Sequence, residues 1–421
     1  MSDKLHVRFA GLSLRSPIMV TAGPCTRTVR QIQKLADAGA GAVVTKSTFL
    51  EHEYEEVIKP YAPHRFPDCR PKYVKAGDET YVYVAGLSEI PAEIWAESLT
   101  ELRRTTDIPI IASQIATTLD GHVKMAELFE SAGASGLEFD FVCPMPYLDK
   151  TELSGIRASL AHPEIIRDVV IAVKQKVSIP VGIKIVYNPI DPGPMLDAIK
   201  ASAVDFVHVY YSPAAMSNID LDTGIPFLPA ASGGVTGPMK RLVNYKYVHQ
   251  TARALGTKSP HITASGHAMN WRDCVEYMMY GCTAVQINHA VMAKGPSVIT
   301  QINEDLNHFL AEKGHENIDA IVGMALPHVL EIDGFMKTYG ETKGVIVASV
   351  IPGRCIQCHL CEETCPVFAI EVDEDEPVVD TSLCAGCGLC VANCPAEALE
   401  LVNTNYLFEL SRRKESSLEL S

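Results

Sequence analysis

From residue 16 to about residue 300, short apolar runs rich in β-branched residues alternate with longer stretches whose apolar residues return every three or four positions. Eight runs have the length of buried strands: 16–23 (SPIMVTAG), 41–48 (GAVVTKST), 108–116 (IPIIASQIA), 136–143 (GLEFDFVC), 179–188 (IPVGIKIVYN), 205–212 (DFVHVYYS), 261–267 (HITASGH) and 283–290 (TAVQINHA). Helical patterns such as TVRQIQKLADAG, VKMAELFESAG, PEIIRDVVIAVKQKV and WRDCVEYMMYG lie between them, and several end in the glycine that suits a left-handed helix stop. Eight βα units in order predict an α/β fold, a (β/α)8 TIM barrel over residues 1–330. Ahead of the first unit, LHVRFAGLSLR alternates around Ala10-Gly11 and predicts a β-hairpin that plugs the barrel bottom.

Two stretches break the repeat. Residues 59–84 carry a proline-rich segment, and residues 212–237 read SPAAMSNIDLDTGIPFLPAASGGVTG. Both follow strands, which places them on the C-terminal face where barrel enzymes work. A linker over 331–352 leads to a small α+β unit at 353–403, and the polar residues 404–421 read as a disordered tail.

A chain of 421 residues exceeds what one core usually serves, which agrees with two domains. The formal net charge of −15 repels phosphate backbones and anionic lipid, so neither nucleic acid nor a membrane is expected as partner. The N-terminal residues lack a basic segment followed by an apolar secretory core, and no long uninterrupted apolar run occurs. The expectation is a soluble cytoplasmic protein.

Eight of the 13 cysteines crowd into residues 355–394, which points to metal rather than disulfides. CIQCHLCEETCP (355–366) and CAGCGLCVANCP (384–395) repeat the spacing C-x2-C-x2-C-x3-C-P. Three thiolates of such a run take one cubane, and the fourth crosses to the other cluster. Cys355, Cys358, Cys361 and Cys394 are thereby assigned to one [4Fe-4S] cluster, and Cys384, Cys387, Cys390 and Cys365 to the second. A zinc site is the alternative, but zinc patterns rarely use eight cysteines with a proline after each fourth. The segment resembles the bacterial two-cluster ferredoxins. Such a module moves single electrons and chooses no substrate, so the chemistry must lie in the barrel. No Gly-x-Gly-x-x-Gly follows a strand, and the chain is not expected to bind NAD itself.

TAGP (21–24), TKS (45–47), IASQI (111–115), CP (143–144), IKI (183–185), GGVTG (233–237) and ASG (264–266) resemble, in order, motifs of the dihydroorotate and dihydropyrimidine dehydrogenases. The likeness spans most of residues 5–295, and the appended ferredoxin module narrows it to the dihydropyrimidine branch. It implies FMN on the open face of the barrel, contacted by Ala22, Gly23, Lys46, Ser47, Gln114 and Lys184. The phosphate would rest on backbone amides of Gly233-Gly234 and Ser265-Gly266, with Asn288 and His289 nearby. Lys46 and Lys184 would act in catalysis through the flavin edge, although a lysine by itself is more often a solvated surface residue. Cys143 matches the cysteine that serves as general acid or base opposite the flavin; the alternative is a buried structural thiol.

The likeness fails where the family's pyrimidine binders use asparagines. Asp140, Tyr210, Tyr211 and Tyr83 stand at those places, and only Asn188 is retained. An ionised Asp only accepts and a phenol brings a ring, so uracil and orotate fit poorly; an aromatic or heteroaromatic ring between the tyrosines is expected instead, unless the tyrosines are barrel packing. His267 stands where a glycine normally admits the phosphate, and either donates to it or crowds it.

The reading that results is an FMN- and iron–sulfur-dependent oxidoreductase acting on a CH–CH or C=C bond of a small cyclic conjugated compound. Its electron partner would be a ferredoxin or an NAD(P)H-oxidising flavoprotein subunit, in a homo-oligomer such as a dimer or in a hetero-oligomer. The competing reading is an electron-transfer subunit whose barrel no longer turns over substrate. A flavin-free barrel lyase with a regulatory cluster is more remote, because it leaves the ferredoxin module without a use.

Overall fold

The computed structural model describes residues 3–53, 55–56, 72–77, 79–84, 90–142, 161–188, 190–211, 213–228, 233–339, 346–373 and 376–403. It divides into two compact units, Met1–Leu326 and Pro327–Ser421. In chain order the strands of the first unit are β1 (Val7–Phe9), β2 (Leu12–Leu14), β3 (Ile18–Val20), β4 (Ala42–Val44), β5 (Lys72–Gly77), β6 (Thr80–Val84), β7 (Ile110–Gln114), β8 (Gly136–Phe141), β9 (Val181–Val186), β10 (Phe206–Tyr210), β11 (Ala214–Ala215), β12 (Gly233–Thr236), β13 (His261–Ser265) and β14 (Ala284–Ile287). The eight runs read as strands close into one barrel, β3-β4-β7-β8-β9-β10-β13-β14.

These strands are buried on both faces, which is why they read as near-continuous apolar runs. In β8 all six residues are buried, and the two faces divide by period two. Phe139 and Phe141 pack against His122 of the helix Leu119–Ser131, while Glu138 and Asp140 turn inward. Between strands, Thr28, Thr118 and Asn270 cap helix N-termini with side-chain oxygens. Gly39, Gly133 and Gly281 end three of the helical patterns at positive φ, as expected from the sequence.

The hairpin β1–β2 turns at Ala10 (φ 49°) and Gly11 (φ 82°) and closes the barrel bottom. Phe9 stacks 5.1 Å from Phe206 at the start of β10, and the Ala10 N–H donates to His261 Nδ1 at the start of β13 over 3.2 Å. Just above, Gly182 faces the Phe206 ring so closely that a Cβ would overlap it. Gly182→Ala should therefore destabilise the barrel by about 1–3 kcal/mol or more, read as a lowered urea midpoint; an unchanged midpoint would show that Phe206 can move aside.

The two stretches that break the repeat meet each other. Their described parts form a four-stranded antiparallel sheet, β11-β12-β6-β5. Strand β6 and the turn before it touch the upper ends of β10, β13 and β14 through Tyr83, Tyr81 and Glu79. The small sheet thus lies at the C-terminal mouth.

In the second unit, β15 (Ile346–Val350) pairs with β18 (Leu399–Asn403), and β16 (Ile370–Val372) with β17 (Pro377–Val379). The stretch expected to be a linker, 331–352, contains the helix Ile332–Tyr339 and strand β15, and the division falls at Leu326. The strand was hidden because its partner lies some fifty residues later in sequence. The two cysteine loops repeat their backbone: Gln357 and His359 in the first and Gly386 and Gly388 in the second all have positive φ. Among the described residues no helix is long and apolar enough to cross a membrane.

Candidate active site

The C-terminal ends of β4, β7, β8 and β9 bring a buried charge cluster to the mouth. Asp140 accepts from the Ser47 hydroxyl at 2.8 Å and from the Val142 N–H at 3.0 Å, and Ser47 also meets Ser113 Oγ at 2.9 Å. Asp140 and Lys184 sit at paired positions of adjacent strands, and both are buried. Burial by itself would raise the Asp140 carboxyl. The Lys184 cation, the Ser47 and Val142 donors and the Lys46 cation outweigh it and hold the group below its ordinary range. Asp140 is therefore an ionised acceptor at neutral pH.

Tyr210 closes the next side. Its phenol lies 3.1 Å from that of Tyr83, and two ammonium groups lie over its ring, Lys184 Nζ at 4.9 Å and Lys240 Nζ at 4.1 Å from the centroid. Burial, with Lys184 adding to it, lowers the Lys240 ammonium, while burial raises the Tyr83 phenol. Of the three tyrosines expected to flank a substrate ring, Tyr83 and Tyr210 stand together and Tyr211 does not stand with them. Successive strand residues face opposite ways, and Tyr211 packs edge-on against Tyr247 at 5.2 Å while its backbone pairs with the Asn244 amide. The same alternation corrects Gln114, whose Nε2 donates to the His122 carbonyl on the outer helix, so that its neighbour Ser113 is the residue at the mouth. Asn188 commits its side-chain oxygen to the N–H groups of Ile190 and Asp191 in a local turn.

Below the mouth runs a polar line that was not foreseen. Glu138 Oε2 accepts from Gln286 Nε2 at 3.0 Å and lies 3.2 Å from His208 Nδ1, and His208 Nε2 meets Ser265 Oγ at 2.9 Å. Glu138, His208 and Gln286 are fully buried. Burial lowers the His208 imidazole. The sign was available in the sequence: at alternate positions of apolar strands stand Glu138 and Asp140, Lys184, His208 and Tyr210, Thr263 and Ser265, Gln286 and Asn288.

The far side of the mouth, at the ends of β3, β13 and β14, gathers Gly23, His267, Asn288 and His289. A Cβ on Gly23 would lie 2.6 Å from Asn288 Nδ2. The His267 and His289 rings stack 5.5 Å apart, Tyr81 packs on His289 at 4.8 Å, and His267 Nε2 lies 3.3 Å from the Glu79 carboxylate. Ser265 is held by His208, and Gly266 has φ +156° with Asn244 and Tyr277 where a Cβ would stand. Gly233 and Gly234 lie in β12, paired with β6 on one side and β11 on the other, so the sheet takes up their backbone groups. Ala22 is half-buried beside Gly23. An FMN at this mouth would meet two buried cations, Lys46 and Lys184, and the close backbone of Gly23. It would also meet buried polar atoms that have no hydrogen-bond partner among the described residues, Thr21 Oγ1, His267 Nδ1 and Asn288 Oδ1. These residues fit the group.

Cys143 lies outside the described residues. Cys274 and Cys282 are fully buried, and burial pushes the Cys25 thiol up to about 11. In the second unit one cavity is lined by Cys355, Cys358, Cys361 and Cys394, and another by Cys365, Cys384, Cys387 and Cys390. Each draws three thiols from its own loop and the fourth from the other. Backbone N–H groups of Ala369 and Ala398 donate to Cys365 Sγ and Cys394 Sγ, both at 3.2 Å. The donor set suits four-iron clusters.

The sequence matches the family "Dihydroorotate dehydrogenase" over residues 4–310 and "4Fe-4S dicluster domain" over residues 354–398. It is 27% identical over 327 residues to the Dihydroorotate dehydrogenase B (NAD(+)) catalytic subunit of Thermoplasma acidophilum, covering 77% of this chain and all of that protein. The corresponding subunit of Methanocella arvoryzae is 29% identical over 322 residues, 76% of this chain and 98% of that one. The NAD-dependent dihydropyrimidine dehydrogenase subunit PreA of Escherichia coli K12 is 23% identical over 375 residues, 87% of this chain and 86% of that one. The chain belongs to the dihydroorotate dehydrogenase family of flavin-dependent oxidoreductases and carries an iron–sulfur domain of the 4Fe-4S dicluster type.

Proposed function

We propose that the protein is an FMN-dependent oxidoreductase acting on a CH–CH or C=C bond of a small cyclic conjugated compound, with Cys143 moving the proton and two [4Fe-4S] clusters linking the barrel to an outside electron partner. The observation that carries the reading is the convergence of Lys46, Ser47, ionised Asp140 and Lys184 at one side of the mouth. FMN when bound supplies hydride exchange with substrate and single-electron exchange with the clusters. Lys46 and Lys184 place positive charge where a reduced flavin ring carries negative charge, and Asp140 keeps Lys184 in position. The Cys143 thiol, with a reference pKa of about 8.5, holds or releases a proton near neutral pH.

The substrate differs from uracil and orotate in this reading. Among the described residues two amides near the mouth are engaged elsewhere, the Asn188 oxygen in its turn and Asn244 on the Tyr211 and Lys240 carbonyls, while Asn288 stands beside Gly23 with its Oδ1 open. A pyrimidine dione would find a phenol pair and ammonium groups in place of matched amides, and unpaired polar groups there cost about 1–3 kcal/mol each. The electron partner is a ferredoxin or an NAD(P)H-oxidising flavoprotein subunit, in line with the catalytic-subunit names of the relatives. The electron-transfer reading keeps one observation in its favour, the two histidine rings at the ends of β13 and β14, where barrels commonly hold a phosphate.

Protein purified without oxygen should contain about one FMN and about eight irons per chain. That content supports the enzyme reading and opens a screen of conjugated ring compounds. Eight irons without flavin, even after incubation with FMN, would favour the electron-transfer reading.

A further inference from the structure

In a (β/α)8 barrel the loops after the seventh and eighth strands commonly form a phosphate site, built from backbone N–H groups and a helix N-terminus. Here those strands are β13 and β14, and the residues that follow them present side chains instead. His267 sits two residues beyond Ser265, at φ +57°, in the left-handed region that favours glycine. Its side chain is 1% exposed. His289 opens the helix His289–Lys294, and its ring stacks on that of His267.

The hydrogen bonding of His267 is half complete. Nε2 faces Glu79 at 3.3 Å, and Nδ1 is buried with no partner among the described residues. A neutral imidazole carries one N–H. If Nε2 keeps the proton to donate to Glu79, Nδ1 points a lone pair at its surroundings and repels an anion. An oxyanion beside Nδ1, with the Glu79 contact kept, calls for the doubly protonated ring.

Resting on the FMN reading above, we propose that His267 and His289 hold the cofactor phosphate on imidazole N–H groups, so that FMN capture takes up protons while capture of an uncharged flavin does not. The class of ligand is a phosphate monoester. The groups facing the pair come from four elements besides their own: Glu79 in the turn before β6, Tyr81 on β6, Lys240 and Arg241 on the helix Pro238–Leu255, and Asp273 on the helix Trp271–Met279; each imidazole also faces the other. Asp273 pairs with Arg241 and largely cancels it.

The sign follows from the resting state. Burial lowers both imidazoles, His289 to about 4, so both are neutral at pH 7 without a ligand. Bringing a dianion against them raises both. Binding then strengthens as pH falls from above their ligand-bound values toward 6.

The test uses full-length protein that retains its clusters and has been stripped of flavin by dialysis against potassium bromide. Kd values for FMN and for riboflavin are read from quenching of flavin fluorescence at about pH 6 and about pH 8.5, on either side of the imidazole reference value. The expected result is FMN binding about tenfold or more tighter at the lower pH, with riboflavin unchanged, which averages about 0.4 proton or more taken up per FMN over that interval. His267→Gly should flatten that dependence, and because it leaves the phosphate's own titration in place it separates the two sources of pH dependence. FMN binding that does not change with pH, or equal affinity for FMN and riboflavin, overturns the histidine site and leaves the FMN reading standing. Binding of neither flavin overturns both.

Discussion

Asp140→Ala should lower the free energy of unfolding by about 3–5 kcal/mol, the range for removing one partner from a buried charged pair. The substitution leaves Lys184 buried at the mouth without its counter-charge, and it strips Ser47 and the Val142 N–H of their acceptor. Asp140→Asn, which keeps the shape and one acceptor oxygen, should cost less, about 1–3 kcal/mol. Both tryptophans, Trp95 and Trp271, belong to the barrel unit, so fluorescence in an anaerobic urea titration reports on this unit alone. The effect has a pH signature. Because the native carboxyl is held below its ordinary value, its contribution is complete above the unfolded value of about 3.9 and disappears as pH falls through the native one. The difference between wild type and Asp140→Ala should shrink accordingly in acid. A difference under about 1 kcal/mol at neutral pH would mean that the pair behaves as a solvated one.

Cys143→Ala should retain flavin and iron and lose about 10²–10⁴ in turnover, the usual contribution of a positioned general acid or base. Lys46→Ala should act differently, by disturbing flavin content or spectrum before any question of proton transfer arises. The comparison needs the visible spectrum, the iron content and steady-state turnover on the same preparations. Undiminished turnover in Cys143→Ala would remove the thiol from the proton path and direct attention to the other proton carriers near the mouth, with the Ser265–His208–Glu138 line first among them.

The barrel was legible because its strands are buried on both sides, so that each appears as a block of β-branched residues closed by a turn or a glycine stop. Less could be read where the structure depends on distant pairing. Strand β6 meets β12 across some 150 residues, and neither segment carries a repeat that announces the other. The same limit hid β15 inside an expected linker. At the mouth, motif positions located Lys46, Ser47, Asp140 and Lys184, but motif matching does not say which way a side chain faces. Period-two alternation does, and it would have exchanged Gln114 for Ser113 and set Tyr211 apart from Tyr210. It would also have marked Glu138 and His208 as inward polar residues in strands otherwise made for packing.

The crossing of the fourth cysteines has a consequence for how the second unit is made. The first loop supplies Cys355, Cys358 and Cys361, and the thiol that completes its cavity is Cys394, beyond the whole of the second loop. A nascent chain that has emerged only through the first loop has an open site there, and neither set of four thiols is complete until the second loop follows, the second set at Cys390 and the first at Cys394. Completion of either site is thereby deferred until the second loop has been made. A break anywhere between the loops leaves both centres incomplete, so damage to the unit should register as loss of both rather than as a half-loaded protein.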